Sequence, residues 1–145
     1  MASTAVFAGA AALYVMPLLP TLDPKALLVP ILLLHAQRHI GLMFLAPGAV
    51  RPGMPRAFAE SAAWGDVVTA LLAAAALVLV LRGSGAAVPA LWIFNVVGTF
   101  DLVRAIVLAT RHRAAAFMGA TYWLPAMAVP LLLVTHGLVF AELLR

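Results

Sequence analysis

The chain has 145 residues, of which 66% are hydrophobic and only 10% are charged, and it contains no cysteine. An ordinary soluble domain carries roughly 25% charged residues, so this composition excludes that class and predicts an integral membrane protein. The missing cysteines exclude disulfides and thiolate metal sites, and the scattered basic residues behind the net charge of +4 indicate no nucleic-acid partner.

Five apolar stretches alternate with polar turns and predict an all-α integral membrane protein, a single bundle of five transmembrane helices. The spans fall at about 5–19, 26–45, 64–81, 88–109 and 116–140, all within one domain that covers 1–145. The first span is short and lacks the basic start of a signal peptide, so we expect it to be retained. Four spans plus one short or interfacial helix is the alternative.

Turn and breaker residues set the expected boundaries. Asp23 is a good N-cap for a second span that has Pro24 at its first position. We expect 57–63 to form a short interfacial helix, which places Asp66 at the membrane surface at the start of span three. Pro125 and Pro130 are expected to kink span five, because each removes a main-chain donor.

The basic residues of the connections differ between the two sides of this bundle. One side carries Arg51, Arg56, Arg111 and Arg113, and the other carries Lys25, Arg82 and Arg145. Because cytoplasmic loops are enriched in Lys and Arg, this bias predicts a cytoplasmic N-terminus.

The polar groups of span two are the most informative feature of the sequence. His35, Arg38 and His39 fall within one arc of an α-helix, and they lie near the middle of the predicted span. Ionisable groups at that depth are costly and require partners, a wet cavity or a bound ligand. Simple packing between helices and the lining of a ligand cavity are both compatible with the two histidines.

Spans four and five carry further polar groups that match this cluster in depth. Asp101 lies at the level of Arg38, so we expect it to pair with Arg38 or with Arg104. Asn95 and His136 lie at the level of His35. We therefore expect spans two, four and five to meet through their polar arcs.

These residues predict an intramembrane pocket for a cofactor or a hydrophobic small molecule. In its sharpest version the ligand is haem b or a quinone, with His35 and His136 as the axial haem ligands and His39 as the substitute. Arg38 would neutralise an acidic group of the ligand, and Asn95 and Tyr122 would orient it. A bare metal site is disfavoured by the guanidinium beside the histidines.

Two other functional classes remain open from the sequence. A proton-coupled transporter of a small molecule would use His35, His39 and Asp101 as a relay. An intramembrane lipid or sterol isomerase, or a carrier, would use an acid–base pair of Asp and His. The expected partners are membrane lipids, and either a second copy of the chain or a respiratory protein.

One part of the chain resembles the first half of DoxX-like four-helix membrane proteins. The resemblance covers roughly 36–80 and rests on Ile40-Gly41-Leu42-Met43-Phe44-Leu45-Ala46-Pro47-Gly48, on Met54-Pro55-Arg56-Ala57-Phe58-Ala59 and on Ala62-Ala63-Trp64-Gly65-Asp66. Asp66 stands where that family more often has Glu, and the first span, the histidines and the 95–104 segment do not match. The resemblance implies a quinol-linked setting in a respiratory membrane, such as a bacterial inner membrane. It identifies no catalytic residue.

Overall fold

The computed structural model describes residues 2–145, and it contains helices and turns but no strand within that range. Helix α1 covers Ala2–Val15, α2 covers Pro24–Leu45, α3 covers Arg56–Leu81, α4 covers Ala87–Arg111 and α5 covers Gly119–Leu143. The last four are each long and apolar enough to cross a membrane, whereas α1 is shorter. The prediction of an all-helical chain with five helices is therefore confirmed.

Helix α2 begins as the sequence predicts and then changes its geometry. The Asp23 carboxylate accepts a hydrogen bond from the main-chain N–H of Lys25 at 2.9 Å, and Pro24 occupies the first turn. The α-helix ends at Ala36, and Gln37–Leu45 continues as a 3₁₀-helix. A 3₁₀-helix has three residues per turn, so every third side chain lies on the same face.

Helix α3 is longer than predicted, and this changes the depth of its polar residues. The expected separate helix over 57–63 is wrong, because α3 runs without interruption from Arg56 to Leu81. Neither proline nor glycine occurs between Arg56 and Trp64, so nothing breaks the helix there. Asp66 consequently lies ten residues inside α3, about 15 Å from the start of the helix, and not at the helix start as predicted.

Helix α5 consists of an irregular first half and a regular second half. A short 3₁₀ turn at Ala114–Phe117 precedes it, and α5 then opens with a 3₁₀ turn at Gly119–Tyr122 and a π-helical turn at Leu124–Ala128. Only Val129–Leu143 is a regular α-helix. Pro125 stands at the start of the π-helical turn, and Pro130 stands in the first turn of the regular helix that follows. Because each proline removes a main-chain donor, the regular hydrogen-bond pattern is interrupted in this part of α5.

Helix α3 packs against α2 and α4, and two apolar clusters form the core of the bundle. One cluster joins α2, α3, α4 and α5 at the end of the bundle that holds the α3–α4 turn. The other lies at the opposite end, around Phe44, Phe58 and Met118. Most of the buried polar side chains lie between the two clusters. Helix α1 packs on α5, with the Ser3 hydroxyl 3.6 Å from the Met127 sulfur.

Close packing of α3 against its neighbours depends on small side chains. Ala73 and Ala76 are fully buried and belong to the first apolar cluster. We expect Ala73→Leu to lower the free energy of unfolding by about 1–3 kcal/mol, because extra methylenes in a packed core force its neighbours apart. Unfolding in SDS, followed by circular dichroism in mixed micelles, would measure the change. The adjacent, exposed Ala74 provides the control, and equal losses for Ala73→Leu and Ala74→Leu would contradict this packing.

Candidate functional site

An arginine between two aspartates lies at the centre of the described bundle. The Arg38 Nε donates to Asp66 Oδ1 at 2.7 Å, and its Nη2 donates to Asp101 Oδ2 at 2.7 Å. Its Nη1 donates to the Gly98 carbonyl at 3.3 Å. The Arg38 side chain is only 1% exposed. One guanidinium therefore connects α2, α3 and α4, and we call Arg38, Asp66 and Asp101 the ion cluster.

The ion cluster confirms one expectation and corrects another. Asp101 pairs with Arg38, which is one of its two predicted partners, whereas Arg104 lies exposed on the outside of α4. The prediction that Asp66 sits at a membrane surface is wrong, because Asp66 pairs with Arg38 deep inside the bundle. The sequence signal that could have found Asp66 is its place eleven residues after Pro55, the proline that precedes α3.

Two glycines make room for the carboxylates. A Cβ atom at Gly41 would overlap the Asp66 carboxylate, and a Cβ atom at Gly65 would overlap the Asp101 carboxylate. The backbones of α2 and α3 can therefore approach the charged side chains of their neighbours only because these positions lack a side chain. The ion cluster depends on these glycines as well as on its charges.

A second set of buried polar residues surrounds His136, which contacts both His35 and Asn95. His35, Asn95 and His136 are all buried, and the imidazole centroids of the two histidines lie 4.2 Å apart. The Asn95 amide donates to the His136 carbonyl at 3.2 Å, so its oxygen accepts from His136 Nδ1–H at 2.6 Å. His35 Nε2 lies 2.9 Å from the Thr135 hydroxyl. These contacts join α5 to α2 and α4 without an ion pair.

Hydrogen bonding fixes the tautomers of the two histidines. The Thr135 hydroxyl has one hydrogen and lies 3.0 Å from two main-chain carbonyls of its own helix, so it accepts from His35 Nε2–H. His35 Nδ1 and His136 Nε2 then carry lone pairs, and neither has a hydrogen-bond partner among residues 2–145. Both nitrogens could accept a proton or a hydrogen bond from a small donor.

Haem ligation by His35 and His136 does not fit this arrangement. The two axial ligands of a haem iron lie on opposite faces of the porphyrin, with the macrocycle between them. Here the two imidazoles contact each other and enclose no gap of that size. No group of three or more potential metal-ligating side chains occurs within residues 2–145. The geometry therefore gives no support to a haem or a metal at this position.

His39 lies apart from the other polar residues of α2. Its side chain is exposed, and its Nδ1 lies 3.1 Å from the Ala36 carbonyl. The expected common arc of His35, Arg38 and His39 is wrong, because the switch to 3₁₀ geometry changes the register. The buried face now repeats every third residue, as His35, Arg38, Gly41 and Phe44, and His39 falls outside it.

A cavity of about 580 Å³ opens beside the ion cluster. Arg38 and Asp66 lie at its inner end, and Arg113 and Thr110 lie where α4 meets the α4–α5 connection. The remaining walls are mostly apolar and come from α2, α3, α4 and residues 122–133 of α5, together with Thr4 of α1 and two residues of the α4–α5 connection, Ala115 and Met118. Of the predicted site residues only Arg38 and Tyr122 line this cavity; the other five, His35, His39, Asn95, Asp101 and His136, do not.

A second, shallower groove lies between α3 and α4 on another face of the bundle. Asp101 and Arg104 line this groove, together with Glu60, Trp64 and Phe100. The ion cluster consequently reaches two separate depressions, with Asp66 facing the cavity and Asp101 facing the groove.

Comparison with known proteins gives a family but no activity. A family model described as "Domain of unknown function (DUF8737)" matches residues 1–144, and the chain therefore belongs to that family. No curated protein and no solved structure matches the chain.

Loss of the guanidinium should destabilise the bundle severely. We expect Arg38→Gln to lower the free energy of unfolding by about 3–5 kcal/mol, because it leaves two carboxylates without their cation. Unfolding in SDS, followed by circular dichroism in mixed micelles, would measure this change. Arg104→Gln removes an exposed arginine from the outside of α4 and should have a much smaller effect. Equal unfolding midpoints for the two variants would show that Arg38 is not a structural centre.

Proposed function

We propose that this member of the DUF8737 family is an integral membrane protein with four spans, α2 to α5, and that it binds a small amphiphilic molecule in the cavity beside Arg38. The observation that carries the proposal is the cavity itself. A volume of about 580 Å³ lies within the range of small-molecule sites, and such sites combine apolar walls with a few polar groups. The Arg38–Asp66 pair supplies the polar groups at the inner end.

The outer surface of the helices supports membrane insertion. Large apolar side chains project outward along the length of the bundle, including Leu71 at 66%, Ile93 at 55% and Phe100 at 69% exposure. A continuous apolar exterior of this kind suits lipid and is uncommon on soluble monomers. Helix α1, with fourteen residues in Ala2–Val15, covers only about 21 Å and is short for a bilayer core of about 30 Å. It is therefore proposed as the short additional helix.

The basic residues favour one orientation of these spans. The α2–α3 and α4–α5 connections and the adjoining helix ends carry Arg51, Arg56, Arg111 and Arg113, so we propose that they face the cytoplasm. The α3–α4 turn then faces the opposite side. A bacterial inner membrane and a relation to DoxX-like proteins remain parts of this proposal on the strength of the sequence resemblance. A quinone remains a candidate for the bound amphiphile because Arg38 lines the cavity.

A second candidate function, proton-coupled transport, is favoured by one specific observation. The ion cluster contacts the cavity through Asp66 and the outer groove through Asp101, with Arg38 between them. Two carboxylates that share one guanidinium and face different depressions could pass a proton by exchanging partners. The isomerase or carrier alternative would also use the cavity, with Asp66 as its acidic group.

The proposed topology can be tested on this cysteine-free chain with single cysteines. We expect Pro52→Cys and His112→Cys to react with a membrane-impermeant maleimide from the cytoplasmic side only. Ser84→Cys, in the α3–α4 turn, should react only from the opposite side, because an odd number of spans separates it from the other two. Labelling is read in intact and in inverted vesicles. Reaction of all three positions from one side would contradict the four-span arrangement.

Binding in the cavity can be tested by filling it. A photoreactive long-chain alcohol with a diazirine in its chain should label the peptides of α4 and α5 saturably in nanodiscs. Ala105→Trp places an indole in the cavity and should raise the half-saturation concentration at least about tenfold, which corresponds to a loss of about 1.4 kcal/mol of binding free energy. Val103→Trp, on the exposed outer face of α4, should leave binding unchanged. Unsaturable labelling, or equal labelling of both variants, would argue against the cavity as a binding site.

A further inference from the structure

We infer that the cavity selects amphiphiles whose head group is a protonated amine, and that Asp66 is the residue that determines this specificity. The inference rests on the proposed function, since it names the class of molecule that the same cavity would take. It differs from the expectation that Arg38 neutralises an acidic ligand, and the reason lies in the way the three charged residues are arranged.

The charge of Arg38 is already matched inside the protein. Its guanidinium donates to two carboxylates and to the Gly98 carbonyl, and its side chain is 1% exposed. An acidic head group at the inner end of the cavity would therefore find an arginine that is almost inaccessible. It would also meet the Asp66 carboxylate at close range, and two like charges at low dielectric repel strongly.

Asp66 has the opposite properties. Its side chain is 19% exposed, and it lines the cavity. Oδ1 accepts from Arg38, whereas Oδ2 lies beside Gly41 and makes no hydrogen bond to any residue within 2–145. A carboxylate oxygen is a strong acceptor for a charged N–H donor, and such hydrogen bonds are roughly twice as strong as neutral ones. The inner end of the cavity thus offers a negatively charged acceptor, Asp66, whereas the donor beside it, Arg38, is less exposed and already bonded.

Asp66 is the one acidic side chain among the described residues that line the cavity. The ion cluster contains one cation and two anions, which leaves one negative charge in excess. Arg104, which lines the outer groove with Asp101, offsets that excess on the groove side. The buried histidines His35 and His136 hydrogen bond to Thr135 and Asn95, not to Asp66. A cationic head group would therefore bind beside Asp66, the carboxylate that the cavity exposes.

The cavity also fixes the direction and approximate length of the bound molecule. Its lining on α4 extends from Leu102 to Thr110, which is eight residues or about 12 Å along the helix. Arg113 lies at the loop end, so a second cationic group would be disfavoured there. A single amine at the inner end with an apolar body of medium length fits this distribution of charges.

The head group can be varied while the tail is held constant. In nanodiscs of phosphatidylcholine, dodecylamine, dodecanol and dodecanoate would compete with the photoreactive alcohol for the wild-type protein at neutral pH. We expect the amine to compete at roughly tenfold lower concentration than the alcohol, and the carboxylate to compete least well. Asp66→Asn should remove the advantage of the amine over the alcohol, so that the two compete at similar concentrations. Glu60→Gln, which changes an exposed acidic residue of the same helix, should retain the wild-type order.

The outcomes separate this inference from the proposed function. Equal competition by the three molecules, or strongest competition by dodecanoate, would overturn the selection of amines while leaving the cavity as a binding site. Loss of a dodecanoate preference in Arg113→Gln would place the head group at the loop end and would equally overturn it. Absence of saturable labelling in the wild type would refute the proposed function itself. Should Asp66→Asn fail to fold, the order of the three molecules in the wild type decides the question.

Discussion

The guanidinium of Arg38 is the group on which the rest of the structure depends. A buried charge is tolerated only with partners of opposite sign, and here these partners come from two further helices. Both contacts require close approach of the backbones, which Gly41 and Gly65 permit. They also require a buried side-chain face that includes Arg38, and the 3₁₀ turn of α2 provides this face. Charge, glycine positions and helix geometry are therefore parts of one arrangement.

The polar layer of the bundle divides into two halves with different chemistry. The ion cluster holds α2, α3 and α4 together, whereas neutral hydrogen bonds of His136 and Thr135 attach α5. Helix α5 takes part in both a packed region and the cavity: Leu138 and Val139 belong to the first apolar cluster, whereas residues 122–133 contribute walls of the cavity. Both prolines of α5 lie within the segment that lines the cavity.

Sequence reasoning succeeded where depth alone decides a contact. Arg38 and Asp101 lie at equal depth in α2 and α4, which run in the same direction, and apolar surroundings force such charges to pair, so their contact could be predicted. Asp66 was missed because depth is counted from a helix start, and an alanine-rich segment gives no clear sign of where that start lies. His39 was misplaced because the change from α to 3₁₀ geometry depends on packing between helices. The cavity is lined by only two of the seven predicted site residues, because much of its wall comes from α5 and the α4–α5 connection, whose irregular course periodicity cannot reveal.

The ion cluster also has a consequence for membrane insertion, because its three residues are synthesised at different times. Arg38 leaves the ribosome 28 residues before Asp66 and 63 residues before Asp101. In a membrane, α2 alone would expose an unpaired guanidinium to hydrocarbon, at a cost of about 2.5–3.5 kcal/mol on insertion scales. Helix α2 would therefore be retained at the translocon, or by an insertion chaperone, until α4 has emerged. The helices would then enter the bilayer as a group, and the biogenesis of the protein would depend on the machinery that holds the first of them.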